Sequence, residues 1–127
     1  MRMSFREIEY FAAINDVDQN KVDEIKESIK ANGFIGCPIL ICGESLITGS
    51  HRLTALKQLA EQEDNDEIDY IGVRDLIVAA DVTDLVDEAM RKFEEENGYT
   101  IDIQFDNIGW LFEGTWVERY KSEIEEW

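Results

Sequence analysis

The sequence predicts an α/β domain with a mixed sheet, and three observations lead to it. Apolar stripes at helical spacing alternate along the chain with short apolar runs bounded by glycine, the pattern of helices interleaved with strands. Two of those runs are separated only by Gly43-Glu44, a two-residue hairpin signal, so part of the sheet is antiparallel. The chain has 127 residues, 44% of them hydrophobic and 10% aromatic, which is enough to enclose one core and too apolar for a disordered tail.

Taken in order, residues 6–12 alternate well enough for a first strand, although Phe5, Ile8 and Ala12 also fit one helical face. Asp16 or Asp18 caps a helix that runs to about Ala31, with Val22, Ile25 and Ile29 as its inner stripe and Asn32-Gly33 as its stop. Pro38 opens a strand through Cys42, and Ser45–Thr48 returns as the second arm of the hairpin. Ser50 is the expected N-cap of a helix from His51 to about Glu61, with Leu53, Leu56, Leu59 and Ala60 inward. Residues 68–80 read as one strand or two short ones, around Tyr70–Val73 and Leu76–Val78. Asp81 or Thr83 caps a helix to Asn97, with Leu85, Val86, Ala89, Met90 and Phe93 inward and Gly98 as its stop. Tyr99, Ile101, Ile103 and Phe105 alternate with polar residues and predict a strand. Thr115-x-x-Glu118 is a capping box for a last helix, whose stripe is Trp116, Tyr120, Ile124 and Trp127. That stripe predicts a tail packed on its own core or on a second copy, as a homodimer.

Net charge is −17 and unevenly placed. Residues 1–60 hold seven bases and eight acids, whereas residues 61–127 hold five bases and 21 acids. Six acids fall within Glu61–Asp69, a stretch expected to be an exposed loop or helix end. This excludes a general nucleic-acid-coating role, which needs clustered Lys and Arg. It also leaves two readings of the acidic half: solubility, or a surface for a basic partner. No run of about 18 apolar residues is present, as a membrane span requires. Met1–Glu7 has no apolar segment behind it, so no signal peptide is expected. Cys37 and Cys42 make no disulfide framework, and a cytoplasmic setting is expected. With a single histidine, His51, no His-rich metal site is expected.

The segment that carries chemistry is Leu46-Ile47-Thr48-Gly49-Ser50-His51-Arg52-Leu53. A strand enters a glycine turn, and the turn opens a helix. The first amides of such a helix lack carbonyl partners and favour an anion. Ser50 adds a hydroxyl, and Arg52 can hold phosphate oxygens two at a time. The plainer alternative is that Ser50 only caps, His51 packs and Arg52 pairs with a nearby Glu.

Three features together resemble the fold shared by ParB N-terminal domains and sulfiredoxin: the helix Asp18–Ile29, the passage Gly33-Phe34-Ile35-Gly36-Cys37-Pro38 into the hairpin, and Thr48-Gly49-Ser50-His51-Arg52 before Leu53-Thr54-Ala55. The resemblance covers Arg6 to Val78, about 70 residues. It implies a ParB/sulfiredoxin-like domain over residues 1–80, followed at 81–127 by an acidic helix–strand–helix extension packed on that core. It implies a nucleotide ligand (ATP, ADP or CTP with Mg²⁺) held at its phosphates by Lys21, Ser28, Gly49, Ser50, His51 and Arg52. Lys21 and Ser28 stand seven apart and so share one helix face. Glu24, where sulfiredoxin has a hydroxyl-bearing residue, is a departure. Ser50 stands where sulfiredoxin has its catalytic cysteine, so sulfinic-acid reduction is not expected. The chain is also too short for the DNA-binding and dimerisation domains of ParB, and a ParB-like nuclease would need a basic path that the sequence lacks. Glu7 and Glu9 are candidate catalytic acids by analogy with the glutamate base of related serine kinases.

Two functions follow as expectations. One is nucleotide binding, extending to NTP hydrolysis or phosphoryl transfer. The other is a non-enzymatic interaction protein of the kind mobile elements such as phages encode. Its acidic half would dock on a basic, nucleic-acid-binding surface as a DNA mimic or anti-defence inhibitor.

Overall fold

The computed structural model describes residues 2–13, 16–99 and 112–120. Strand β1 (Arg2–Ser4) leads directly into a single helical turn, α1 (Phe5–Ile8). This corrects the strand expected over residues 6–12. Ser4 and Glu7 form a capping pair in which the Ser4 backbone N–H donates to Glu7 Oε2 at 2.7 Å. Phe5 and Ile8 then bury completely at helical spacing.

Helix α2 (Gln19–Asn32) starts at Asp18, whose carboxylate accepts the Asn20 amide at 2.9 Å. Strands β2 (Ile39–Cys42) and β3 (Ser45–Thr48) form the expected hairpin. Helix α3 (Ser50–Asp64) follows, and its N-cap is Gly49, one residue earlier than expected, so Ser50 is its first helical residue. The helix also runs on to Asp64, absorbing part of the acidic stretch. No strand forms over Tyr70–Val73. Gly72 turns the chain into a short 3₁₀ turn, Val73–Asp75, before β4 (Ile77–Asp81). Helix α4 (Thr83–Asn97) ends at Gly98 as expected, but its N-cap position is Val82. Asp81 contributes from just outside: its carboxylate accepts the Thr83 amide at 2.9 Å and the Thr83 hydroxyl at 2.6 Å.

Among the described residues the four strands form one mixed sheet in the order β1-β4-β2-β3. β4 lies parallel to β2 and antiparallel to β1, with Leu40 opposite Ala80 and Met3 opposite Ala79. Side chains of β2 alternate between two cores, as the pleat requires. Ile39 and Ile41 join Val22, Ile29, Leu53, Leu56 and Leu59 of α2 and α3. Leu40 joins Ile47, Val86, Phe112 and Val117 on the α4 side. The sheet is therefore covered on both faces, α2 and α3 on one and α4 with residues 112–117 on the other. Gln19 and Gln58 exchange amide hydrogen bonds of 2.9 and 3.1 Å that fix α2 against α3.

Beyond Gly114, residues Trp116–Tyr120 form a 3₁₀ turn in place of the first turn of the expected helix. Val117 is its buried residue, while Trp116 is exposed with the Arg2 guanidinium 4.7 Å from its ring centroid. The 3₁₀ geometry, with three residues per turn, turns Val117 inward and Trp116 outward, while Tyr120 of the expected stripe still packs against the core. Glu118 accepts the Gly114 amide at 2.8 Å, which displaces the capping box by one residue. Of the strand expected from Tyr99 to Phe105, residues 100–105 lie outside the described residues, as do the stripe positions Ile124 and Trp127. No described helix is long and apolar enough to cross a membrane.

Candidate functional site

The strand-to-helix junction is shaped by Gly49. Its φ of 108° is one that side-chain-bearing residues rarely adopt, and a Cβ there would stand 3.0 Å from Ile39 Cγ1. The glycine thus lets α3 start directly over β2. No side chain caps α3: Gly49 has none, and the first turn carries no acid. Ser50 is buried, at 5% exposure.

His51 faces the start of α2. The Asp18 backbone N–H donates to His51 Nε2 at 3.0 Å. A ring nitrogen that accepts carries no proton, so the neutral ring bears its proton on Nδ1. That Nδ1 is buried and has no hydrogen-bond partner among the described residues, and the same holds for the Thr48 hydroxyl. His51 therefore ties the first residues of α2 to those of α3. Lys21 lies one turn along α2 from Asp18 and is half-buried.

Arg52 points the other way along α2. Its guanidinium donates to the Cys37 carbonyl and lies 5.1 Å from the centroid of the Phe34 ring. It borders a cavity of about 320 Å³ whose other walls are Ile25, Ser28 and Ile29 of α2 and the loop Gly33-Phe34-Ile35-Gly36. Two residues singled out in the sequence, Ser28 and Arg52, thus meet at one cavity from different helices. Lys21, Gly49, Ser50 and His51 do not line it. The sequence signal for the loop was two glycines bracketing an aromatic–aliphatic pair, and it was not read as part of a site. Ile35 is 59% exposed there, a large apolar side chain on the cavity wall.

Glu7 and Glu9 lie elsewhere. Glu7 is held in the α1 capping pair, and Glu9 accepts from Arg74 Nε at 2.9 Å. Arg74 also makes a two-pronged contact with Asp64, at 2.8 and 2.9 Å, which sets Glu9 beside the C-terminal end of α3. Asp64 stands twelve residues along α3 from Arg52, roughly 18 Å at 1.5 Å per residue. The Arg74 hydrogen bond holds the Asp64 carboxyl below its ordinary range, and Asp64, then Glu9, hold the Arg74 guanidinium above its own.

Among the described residues no three His, Cys, Asp or Glu side chains gather as a metal site. The cavity fits a phosphorylated ligand in its donors: one guanidinium, one hydroxyl, and apolar walls. Compared with known proteins, the chain matches no family, no curated protein and no solved structure.

Proposed function

We propose that the chain is a nucleotide-binding protein whose ligand sits in the cavity between α2, the 33–36 loop and the first turn of α3. The reading rests chiefly on one observation: Ser28 and Arg52 line a single ligand-sized cavity with an aromatic ring beside the guanidinium. Small-molecule sites have this make-up, mostly apolar walls with a few placed polar groups. Arg52 takes the phosphate and Ser28 donates a hydroxyl. His51 holds the two helices in register. The ParB/sulfiredoxin-like resemblance supports this assignment only through Ser28 and Arg52; Lys21, Gly49, Ser50 and His51, which it also implies as phosphate contacts, stand outside the cavity. Hydrolysis or phosphoryl transfer is a separate matter, because Glu7 is engaged in the α1 capping pair and Glu9 with Arg74 beside the C-terminal end of α3.

The test is a thermal-shift screen with ATP, ADP, AMP, CTP, CMP, GTP and GMP, with and without Mg²⁺. A ligand at 100 times its Kd stabilises the fold by about 2.7 kcal/mol. The shift is expected to vanish in Arg52→Ala. No shift with any nucleotide, phosphorylated once or several times, removes the proposal.

A second reading is supported by α4, which exposes Asp84, Asp87, Glu88, Glu94, Glu95 and Glu96. Only Glu88 and Glu95 among them pair with bases of the same helix, Lys92 and Arg91, in the described contacts. This face suits a basic protein partner. Such binding weakens steeply with salt, because exposed charges are screened beyond ~8–10 Å.

A further inference from the structure

We infer that the ligand class is a nucleoside monophosphate, bound without a divalent metal ion. This rests on the nucleotide-binding reading and narrows it through the cavity's size, its charge and its apolar wall.

The volume of about 320 Å³ lies at the lower edge of the range for small-molecule sites, which favours a compact ligand. Among the described residues the wall carries one charged side chain, Arg52. A triphosphate is usually held by several cationic or backbone donors and by a metal ion that itself needs one or two carboxylates. Among the described residues that line it, none is a carboxylate and none is a second cation. One guanidinium, which also donates to the Cys37 carbonyl, matches the charge of one phosphate group, and the Ser28 hydroxyl supplies a further donor from α2.

The remaining walls suit a flat base. Ile25, Ile29, Phe34 and Ile35 make a continuous apolar lining beside the guanidinium. Ile35 is more than half exposed, and a base against it would remove that surface from water. The Phe34 ring, already beside Arg52, offers a stacking face next to the phosphate end. A free phosphate or a sugar phosphate has no use for this lining, so the base distinguishes the class.

Isothermal titration of the full chain with AMP, CMP, GMP and UMP, and with the matching triphosphates, in Mg²⁺ or in EDTA, tests the inference. At least one monophosphate is expected to bind about tenfold more tightly than its own triphosphate, a difference of ~1.4 kcal/mol. EDTA should leave its affinity unchanged. Ser28→Glu places an acid at the cavity wall and should weaken binding by a further factor of about ten, since like charges repel. Phe34→Leu should weaken the nucleotide but not inorganic phosphate. Circular dichroism of both variants confirms folding, so the result does not depend on Arg52→Ala. Tighter, EDTA-sensitive triphosphate binding overturns the inference and leaves nucleotide binding in place. Monophosphate binding indifferent to Ser28→Glu and Phe34→Leu also overturns it. Absence of binding by any nucleotide overturns both readings together.

Discussion

At its C-terminal end α3 places Glu63 and Asp64, and at its N-terminal end His51 and Arg52, with no acid in the first turn and no base in the last. Both ends run against the helix dipole, which favours acids at the start and bases at the finish. The protein answers them differently. Glu63 accepts the Ile71 amide at 2.8 Å and the Val73 amide at 3.2 Å, and Asp64 is gripped by Arg74, which also holds Glu9. Each of these acids is met by donors from the neighbouring segment, so that end is closed as structure. At the other end Arg52 bonds a carbonyl, an acceptor without net charge, and borders a cavity. The two ends of α3 thus differ in kind: one is joined to the neighbouring segment by its acids, and the other borders a cavity.

The largest effect is expected from Gly49→Ala, which attacks the N-terminal end directly. Backbone strain alone at such a φ costs about 1–3 kcal/mol. The new Cβ would also press on Ile39, a fully buried side chain. Urea unfolding should show the loss, and nucleotide binding should fall with it, because the start of α3 must move. A variant as stable as the parent would mean that the junction is loosely built and cannot orient Arg52.

Glu63→Ala sharpens the contrast from the opposite end. It leaves two part-buried amides without their acceptor, at about 1–3 kcal/mol. The folded variant should bind nucleotide with unchanged affinity, since α3 separates the two regions. Arg52→Ala should show the reverse, a large loss of binding. If both variants lost binding equally, the division of α3 into a structural end and a binding end would fail.

Legibility in the sequence followed the kind of contact. Helix α2 was readable because Asp18 and the Val22, Ile25, Ile29 spacing are side-chain signals, and the hairpin because Gly43-Glu44 is a local one. The strand expected at residues 6–12 does not form because Ser4-x-x-Glu7, a capping signal, starts a helical turn there that outweighs the weak alternation. Gly49 took the cap from Ser50 for a reason no local pattern shows, its close approach to Ile39. At the site, Ser28 and Arg52 were readable from the motif and the helix face. The Phe34–Ile35 wall was not, and neither were the partners of Arg52 and His51: the Cys37 carbonyl and the Asp18 amide are backbone groups, which every residue carries.

The N-terminus of α4 gives the comparison its control, a helix start furnished in the ordinary way with an acid. The side-chain hydrogen bond from Thr83, followed by that of the Thr83 amide, holds the Asp81 carboxyl below its ordinary value. The Thr83 hydroxyl in turn accepts the Gly43 amide at 2.9 Å, so one carboxylate organises both the helix start and the hairpin turn. Asp81→Ala is expected to cost about 1 kcal/mol at neutral pH, the usual worth of a capping side chain. Because the folded-state pKa is the lower one, the carboxylate's stabilisation is full above the unfolded value of about 3.9 and is lost as pH falls through the folded value. The stability gap between parent and Asp81→Ala should therefore be constant from neutrality down to about pH 5 and narrow in more acidic solution. Urea titrations across that range read it directly. A gap that widened with acid would show that Asp81 is stabilised in its protonated form, and α4 would then no longer serve as the acid-capped counterpart of α3.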